Sequence, residues 1–298
     1  MSKPYIARGE TLPLNNDTRA WMRGSFVRLG DGVTHYELTG PDDGPLVLLL
    51  GTLTAPLFYW DEVVAGLHRR GLRTLTYSAY GRGYSDRLPG PYDGDLFTRQ
   101  ALQLLDAVAP NGPVHVVGSS MGALTALLLV DREPGRVASL TLLGPAGLGG
   151  GPPLPVRLAT GRRLGRALGR PLGRRFLRAH LAHNVSTPAQ VARLSAMVTD
   201  TYRCQGSVHA LLSTLAHLPL HGQEEVYRRA GRHGVPTLLI RGRTDQVTPI
   251  RELPRVLDLL RPQRHRIIDG GHMVPFEHPG LTVSEITSFH EEICAPRP

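Results

Sequence analysis

Cysteine is scarce in this chain of 298 residues: Cys204 and Cys294 are the only two, and they are far apart. Two distant cysteines do not make a disulfide framework, and neither has the spacing of a metal site. The first ten residues also lack the apolar segment that a secretory signal requires. We therefore expect a reducing, cytoplasmic location.

Long apolar runs are missing as well. The longest are Leu46–Leu50 and Ala126–Val130, far short of the roughly 18 residues that a membrane-spanning helix needs. The composition, 41% hydrophobic and 20% charged, excludes a disordered or fibrous chain. These features predict a globular protein with a large buried core and no membrane span.

Lysine is almost absent, and acidic residues are nearly missing from one segment. Lys3 is the only lysine, so arginine supplies the positive charge. Residues 147–220 contain ten arginines and one acidic residue, Asp200, which accounts for the whole net charge of +9 and leaves the remainder neutral. Because the excess is confined to one segment, we expect no nucleic-acid partner.

Part of this segment has a regular pattern, which we call the arginine stripe: Arg162, Arg166, Arg170, Arg174 and Arg178. Leucines and one phenylalanine recur at the same interval, two positions later. One interpretation is an electropositive lid that attracts anionic substrates or surfaces. The other is a solvated arginine face above a packed leucine face, which is the commoner meaning of such patterns. The sequence leaves both open.

Short apolar runs alternate with helical patterns along most of the chain, which predicts a mostly parallel sheet flanked by helices. Strands are predicted at Phe26–Leu29, Thr34–Leu38, Leu46–Leu50, Thr74–Tyr77, Val114–Val117, Ser139–Leu143, Thr237–Arg241 and His265–Ile268. Helices are predicted at Trp60–Arg70, Leu96–Ala109, Met121–Asp131, Glu224–His233, Ile250–Leu260 and Leu281–Cys294. The predicted organisation is an α/β core of residues 1–146 and 221–298, interrupted by a helical cap of residues 147–220.

A G-x-S-x-G motif, Gly118–Gly122, lies between the strand Val114–Val117 and the following helical pattern. In this context the serine, Ser120, sits on a tight turn that exposes its hydroxyl, and the two glycines relieve crowding that a β-carbon would cause. The N-terminus of the next helix directs its dipole at the reacting oxygen. The motif predicts a nucleophilic serine.

A serine nucleophile needs a base, and the base needs an orienting acid. His272 and Asp245 each follow a predicted strand. The order Ser–Asp–His along the chain is found in one group of serine hydrolases whose nucleophile lies on such a strand-to-helix turn. The chain has thirteen histidines, and His272 is distinguished by its loop position. His180 and His183 have the spacing of a metal pair, but no acid or cysteine lies near them, so we expect no metal.

The negative oxygen of the reaction intermediate needs two backbone N–H donors. One is predicted at Met121, directly after the nucleophile. The other is predicted in the loop after the strand Leu46–Leu50, at Thr52, with Leu53 as the alternative. Further residues are predicted to line the substrate pocket: Leu53, Ser119, Val247 and Val274.

Taken together, these motifs resemble the α/β-hydrolase fold enzymes that carry a helical cap. The resemblance covers about Phe26–Ile293 and includes the segments Gly81–Asp86 (GRGYSD) and Gly271–Pro279 (GHMVPFEHP). It implies that Ser120 is the nucleophile, Asp245 the acid and His272 the base. The chain departs from the family at Leu50, where a histidine usually braces the oxyanion loop, and at Tyr80, where an aspartate is frequent.

The resemblance implies a cofactor-independent serine hydrolase that acts on a small molecule, most simply a carboxylic ester or lactone. Relatives that open epoxides or displace halide have aspartate where this chain has Ser120, which disfavours those reactions. Two alternatives keep the triad: a carbon–carbon bond hydrolase, and a thioesterase or cyclase of small-molecule biosynthesis. A further alternative is a ligand-binding protein without catalysis. The sequence does not predict an oligomeric state.

Overall fold

The computed structural model describes residues 4–150, 177, 181 and 184–295. The arginine stripe lies outside the described residues, and so do residues 151–155 of the Gly/Pro-rich segment Gly147–Pro155 (GLGGGPPLP) that precedes it. The boundaries of the cap at 147 and 220 therefore stay a prediction.

The described residues form one sheet of eight strands in the order β1-β2-β4-β3-β5-β6-β7-β8. β1 and β2 are antiparallel to their neighbours, and the pairs from β4 to β8 are parallel. The strands are Ser25–Arg28 (β1), Val33–Thr39 (β2), Leu46–Leu50 (β3), Arg73–Tyr77 (β4), Val114–Ser119 (β5), Val137–Leu143 (β6), Thr237–Gly242 (β7) and Arg264–Ile268 (β8). All eight predicted strands are confirmed to within two residues, as is the predicted α/β fold class.

The helices are Asn16–Arg19 (α1), Asp61–His68 (α2), Gly94–Val108 (α3), Met121–Arg132 (α4), Pro188–Thr201 (α5), Ser207–His217 (α6), Glu224–Arg232 (α7), Leu253–Leu260 (α8), Val274–Glu277 (α9) and Pro279–Cys294 (α10). Short 3₁₀ turns occupy Leu57–Trp60, Pro134–Arg136 and Ile250–Glu252. The sequence did not predict α1 or α9. None of the helices in the described part of the chain is long and apolar enough to cross a membrane.

Helix starts follow from local side chains. Asp93 precedes α3 and accepts a hydrogen bond from the Leu96 N–H at 2.9 Å, which satisfies one of the free donors of the first turn. Thr187 and Gln190 form a capping box at the start of α5, where Pro188 occupies the first turn. These caps fix where α3 and α5 begin.

The centre of the sheet is the core of the protein. The last four residues of β3 and almost all of β5, β6 and β7 are buried, as expected for parallel strands covered on both faces. α2 packs closely against α10, where a β-carbon at Gly66 would lie 2.5 Å from Val283 Cγ2. Because parallel strands end at one edge, the loops after β3, β5, β7 and β8 meet there.

A segment near the N-terminus is hydrogen-bonded to the start of α6, one of the helices between β6 and β7. The buried Glu10 carboxylate accepts hydrogen bonds from the backbone N–H groups of Ala7 at 2.7 Å, Gly206 at 2.9 Å and Val208 at 2.6 Å. The last two donors lie at the N-terminus of α6, where a negative charge is favourable. No periodicity in the sequence indicated this contact.

Candidate active site

Ser120 occupies a strained turn between β5 and α4. Its backbone has φ 55° and ψ −113°, a conformation that costs a non-glycine residue about 1–3 kcal/mol. Its N–H donates to the Leu143 carbonyl at 2.9 Å, and its carbonyl accepts from the Ala146 N–H at 3.2 Å. The neighbouring strand β6 thus holds the turn, and the N-terminus of α4 begins directly after the serine.

The two glycines of the motif are required by close backbone contacts. A β-carbon at Gly118 would lie 2.5 Å from the Gly122 carbonyl oxygen and 2.6 Å from Ala123 Cα. A β-carbon at Gly122 would lie 2.2 Å from the Leu50 carbonyl oxygen and 2.4 Å from that of Gly51. The crowding predicted from the sequence is present, and the second glycine lets the loop after β3 approach the nucleophile.

The structure brings the three predicted catalytic side chains together. Ser120 Oγ lies 2.8 Å from His272 Nε2, and His272 Nδ1 lies 2.8 Å from Asp245 Oδ2. All three residues are buried, with Ser120 8% exposed and His272 2% exposed. Ser120 comes from the β5 turn, Asp245 from the loop after β7 and His272 from the loop after β8. The site joins residues up to 152 positions apart in the chain.

The acid is held by its own loop. Asp245 Oδ1 accepts hydrogen bonds from the N–H groups of Val247 and Thr248, both at 2.8 Å, and Thr248 Oγ1 donates to Oδ2 at 2.7 Å. The buried Arg241 donates to the Thr248 carbonyl at 2.6 Å. Each carboxylate oxygen thus has a fixed partner, and Oδ2 is aimed at His272.

The pKa of Asp245 lies below its usual value. Burial on its own would raise the pKa of this carboxyl, but the charge of His272 and hydrogen bonds from His272 and Thr248 outweigh burial. The folded state therefore favours the carboxylate over the protonated acid. The stability that this preference supplies is fully present above the pKa of the unfolded state, and is lost as pH falls towards the lower folded-state pKa.

Replacing Asp245 by asparagine should therefore change both the pH dependence of stability and the catalytic activity. Between pH 7 and about pH 3, the free energy of unfolding in urea should fall less for Asp245→Asn than for wild type. Turnover should fall by about 10⁴-fold, because an amide does not hold the imidazole in the same tautomer. Asp106→Asn is the control: its carboxylate is exposed and pairs with Arg136 at 2.9 Å, so little should change. If the free energy of unfolding fell equally with pH in wild type and in Asp245→Asn, this prediction would be wrong.

The predicted oxyanion donors lie on the two segments that Gly122 brings into contact. Among the described residues, no acceptor takes the backbone N–H of Thr52 or of Met121. Thr52 is buried, and its hydroxyl accepts the Ala55 N–H at 3.3 Å. Two free N–H groups beside a nucleophile are what an oxyanion hole requires. The backbone N–H of Leu53 is also without an acceptor in this part of the structure, so the alternative stays open.

The predicted pocket residues have different environments. Ser119, Leu53 and Val274 are buried, and Val274 begins the short helix α9 instead of lying in the predicted loop. Ser119 Oγ pairs with Tyr59 Oη at 3.0 Å. Val247 is 39% exposed, and its N–H donates to Asp245 Oδ1 at 2.8 Å. Their role in binding substrate stays a prediction.

Three side chains that support the site were not predicted. Thr248 and Arg241 position the acid, and Tyr59 holds Ser119. Tyr59 also stacks on Phe276, with ring centroids 6.1 Å apart. The spacing Asp245-x-x-Thr248 is a usable signal, since a hydroxyl three residues after an aspartate can return to its carboxylate. Arg241 bonds to a carbonyl seven positions later without a spacing that marks it, and Tyr59 bonds to a hydroxyl 60 positions away, which leaves no local pattern.

Sequence comparison relates the chain to known proteins. A family model described as alpha/beta hydrolase fold matches residues 45–279. A non-heme chloroperoxidase from Streptomyces lividans is 25% identical over 88% of this chain and 98% of its own length. A 2-hydroxy-6-oxononadienedioate/2-hydroxy-6-oxononatrienedioate hydrolase from Paraburkholderia xenovorans is 28% identical over 85% of this chain and 90% of its own.

Solved structures share the fold. A thermophilic esterase from Thermogutta terrifontis superposes with a TM-score of 0.75 at 19% identity, over 91% of this chain and 100% of that one. An enol-lactonase from Burkholderia xenovorans superposes with a TM-score of 0.73 at 21% identity, over 89% of this chain and 99% of that one. With the family model covering most of the sequence, the chain belongs to the alpha/beta hydrolase fold family, as an enzyme of that family.

Proposed function

We propose that the protein is a serine hydrolase that cleaves a carboxylic ester or lactone of a small molecule. The observation that carries this proposal is the continuous hydrogen-bonded series Ser120–His272–Asp245, with both links at 2.8 Å. A buried serine, imidazole and carboxylate in this order are the requirements for acyl transfer. The unoccupied N–H groups of Thr52 and Met121 support the same reaction.

In the first half of the reaction, His272 Nε2 takes the proton of Ser120 as Oγ attacks the carbonyl carbon. Asp245 fixes the imidazole through Nδ1 and stabilises the cation that forms. The carbonyl oxygen becomes negatively charged between the N–H groups of Thr52 and Met121. His272 then gives its proton to the leaving oxygen, and an acyl group remains on Ser120.

In the second half, a water molecule replaces the leaving group. His272 removes a proton from this water as the water attacks the acyl carbon, and the same N–H groups hold the second oxyanion. Collapse of the intermediate returns the proton from His272 to Ser120 Oγ and releases the acid. This scheme uses side chains and backbone alone.

Two observations favour an oxygen ester over an amide. An alkoxide leaves more readily than an amine, so an ester needs less protonation of its leaving group. The esterase and the enol-lactonase that share this fold act, by their names, on such bonds. In a lactone the leaving oxygen and the acyl carbon belong to the same ring. Ring opening would therefore leave the alcohol attached to the acyl group on Ser120.

A second candidate is hydrolysis of a carbon–carbon bond. The relative from Paraburkholderia xenovorans, which aligns over 85% of this chain, is named for a 2-hydroxy-6-oxo dienedioate. The same triad serves if a ketone of the substrate is attacked and a carbanion leaves. A thioesterase or cyclase reaction would also begin with attack of Ser120 on an acyl carbon.

A substrate panel separates these candidates. We expect the wild-type enzyme to hydrolyse p-nitrophenyl esters of at least one acyl length, and a five-membered enol-lactone, with kcat in the ordinary range of about 1–10³ s⁻¹. Release of p-nitrophenolate and loss of enol-lactone absorbance measure the two rates. The 2-hydroxy-6-oxo dienedioate should be cleaved far more slowly.

The panel has two contradicting outcomes. Cleavage of the dienedioate with no turnover of any ester would show that the protein hydrolyses a carbon–carbon bond and not an ester. A folded protein that turns over nothing and whose Ser120 is not labelled by a fluorophosphonate would be a binding protein, which is the non-catalytic alternative. Labelling separates the two, because it reports the activated serine whatever the substrate.

A further inference from the structure

Arg82 is a fully buried arginine in the turn after β4, 1% exposed. The turn is tightly packed on both sides of it. A β-carbon at Gly81, where φ is 82°, would lie 2.3 Å from Ala210 Cβ, and one at Gly83, where φ is 48°, would lie 2.1 Å from Ser78 Oγ. The glycines thus let the turn fit beneath α6 and fix the position from which the arginine reaches inward.

The guanidinium of Arg82 reaches the loop after β3. Its Nε donates to the Leu53 carbonyl at 2.8 Å, and its Nη1 donates to the Tyr80 carbonyl of its own turn at 3.0 Å. The ring of Phe97 supports it from one side, with Cζ 5.5 Å from the centroid. One planar group therefore joins the β4 turn to the residue directly after Thr52.

No carboxylate compensates this charge. None of the ion pairs within the described residues includes Arg82, and the residues outside that part contain no aspartate or glutamate. Burial accordingly lowers the pKa of the guanidinium. Burying an unpaired cation is expensive, and an apolar side chain would fill the space more cheaply. The contacts with the two carbonyls are what an apolar side chain would not supply.

The loop after β3 begins directly after Leu50, the buried last residue of that strand. The leucine side chain has no polar atom that could hold the loop by a hydrogen bond. Within the described part, the hydrogen bonds of residues 52 and 53 are the short-range bond from Ala55 to Thr52 Oγ1 and the bond from Arg82 to Leu53. The bond from Arg82 joins these two residues to another part of the fold, while Ser78 Oγ accepts the Leu57 N–H at 3.1 Å where the loop ends.

We propose that Arg82 is the positioning residue of the oxyanion loop, holding Leu53 so that the N–H of Thr52 faces the developing oxyanion. This inference rests on the proposed serine-hydrolase function. Within the described residues, Arg82 donates to the carbonyls of Leu53 and Tyr80 and to no triad side chain, so its effect is expected in the transition state and not in ground-state binding. A donor that is misplaced by its loop is lost to the oxyanion much as a deleted donor is.

The test compares Arg82→Met, which keeps the volume, and Arg82→Lys, which keeps the charge but not the planar fork. Arg82→Met should lower kcat for a p-nitrophenyl ester by about 10²-fold with little change in KM. A trifluoromethyl ketone, which forms an oxyanion on Ser120, should bind weaker by a similar factor, while the matching alcohol binds as before. Arg82→Lys should recover part of both losses.

Arg19→Met is the matched control. Arg19 is also buried, 8% exposed, and pairs with Asp86 in the same turn. Its loss should lower stability without changing the preference for the ketone over the alcohol. Circular dichroism and urea unfolding establish that each variant is folded. If Arg82→Met does not fold, Arg82→Lys carries the test, with an expected fall in kcat of about 10-fold.

Three results would overturn the inference. They are an unchanged kcat and ketone affinity in the folded variants, a rise in KM alone, and an effect no larger than that of Arg19→Met. An active, fluorophosphonate-labelled wild type with unaffected Arg82 variants removes this inference and leaves the hydrolase in place. A wild type that neither turns over ester nor is labelled removes the proposed function, and this inference with it.

Discussion

Replacing Ser120 by alanine should lower kcat for the best p-nitrophenyl ester by roughly 10⁶-fold, as loss of the nucleophile does in other triad enzymes. The substitution removes the one atom, Oγ, that bonds to the acyl carbon and that His272 Nε2 contacts at 2.8 Å. It should also abolish labelling by a fluorophosphonate, read as the mass of the modified protein. The free energy of unfolding should change by less than about 1.5 kcal/mol, since only one hydrogen bond of a hydroxyl is lost.

The adjacent serine supplies a matched control. Ser119 is buried like Ser120, with 0% against 8% exposed, and precedes it by one position, but its hydroxyl pairs with Tyr59 at 3.0 Å and not with His272. Ser119→Ala leaves the Tyr59 hydroxyl buried without that partner, so it should cost about 1–3 kcal/mol of stability and still be labelled. Labelling that persists in Ser120→Ala, or that vanishes only in Ser119→Ala, would show that Ser120 is not the nucleophile.

The contrast between these two serines shows what local sequence can predict. Ser120 was identifiable because the motif has a glycine on each side, and the structure shows that neither position has room for a β-carbon. At Gly118 the space is filled by backbone atoms of α4, and at Gly122 by those of Leu50 and Gly51. The strands were predictable for a similar reason, since buried parallel strands such as β3 read as unbroken apolar runs. The predicted positions of Asp245 and His272 followed from loops after such strands.

Arg82 and Tyr59 could not be predicted because their contacts join distant parts of the chain. Arg82 bonds to a carbonyl 29 positions away, and Tyr59 to a hydroxyl 60 positions away. Neither contact imposes a period on the sequence. Helix α9 escaped for another reason: four residues, Val274–Glu277, are too few to show a helical pattern. Whether the arginine stripe is a lid or a solvated face stays open, because it lies outside the described residues.

Replacing Gly122 by alanine should disable the oxyanion hole while leaving the triad in place. The new methyl group would lie 2.2 Å from the Leu50 carbonyl oxygen and 2.4 Å from that of Gly51. Real β-carbons essentially never approach backbone atoms so closely, and neither backbone segment can rotate away as a side chain would. The loop after β3 must therefore move away from α4, taking the N–H of Thr52 with it.

The expected loss follows from what that displacement removes. One oxyanion donor contributes about 10²–10³-fold to kcat. If Thr52 is a donor, the kcat of Gly122→Ala should therefore fall by at least this factor. Overpacking of this kind also costs about 1–3 kcal/mol of stability. The ester and the trifluoromethyl ketone should be affected alike, because both place negative charge between Thr52 and Met121. KM should change less than kcat, since the uncharged carbonyl of the bound ester depends less on these donors.

Gly280→Ala separates this steric effect from the general effect of alanine in a helix. Gly280 lies in the first turn of α10, and a β-carbon there would have no neighbour within 4 Å. Alanine at this open position should raise stability by about 0.4–1 kcal/mol and leave kcat unchanged, so the two variants should shift the urea midpoint in opposite directions. A folded Gly122→Ala with wild-type kcat would contradict the argument at its central step, because it would mean that the contact between Leu50–Gly51 and α4 does not set the position of the oxyanion donors.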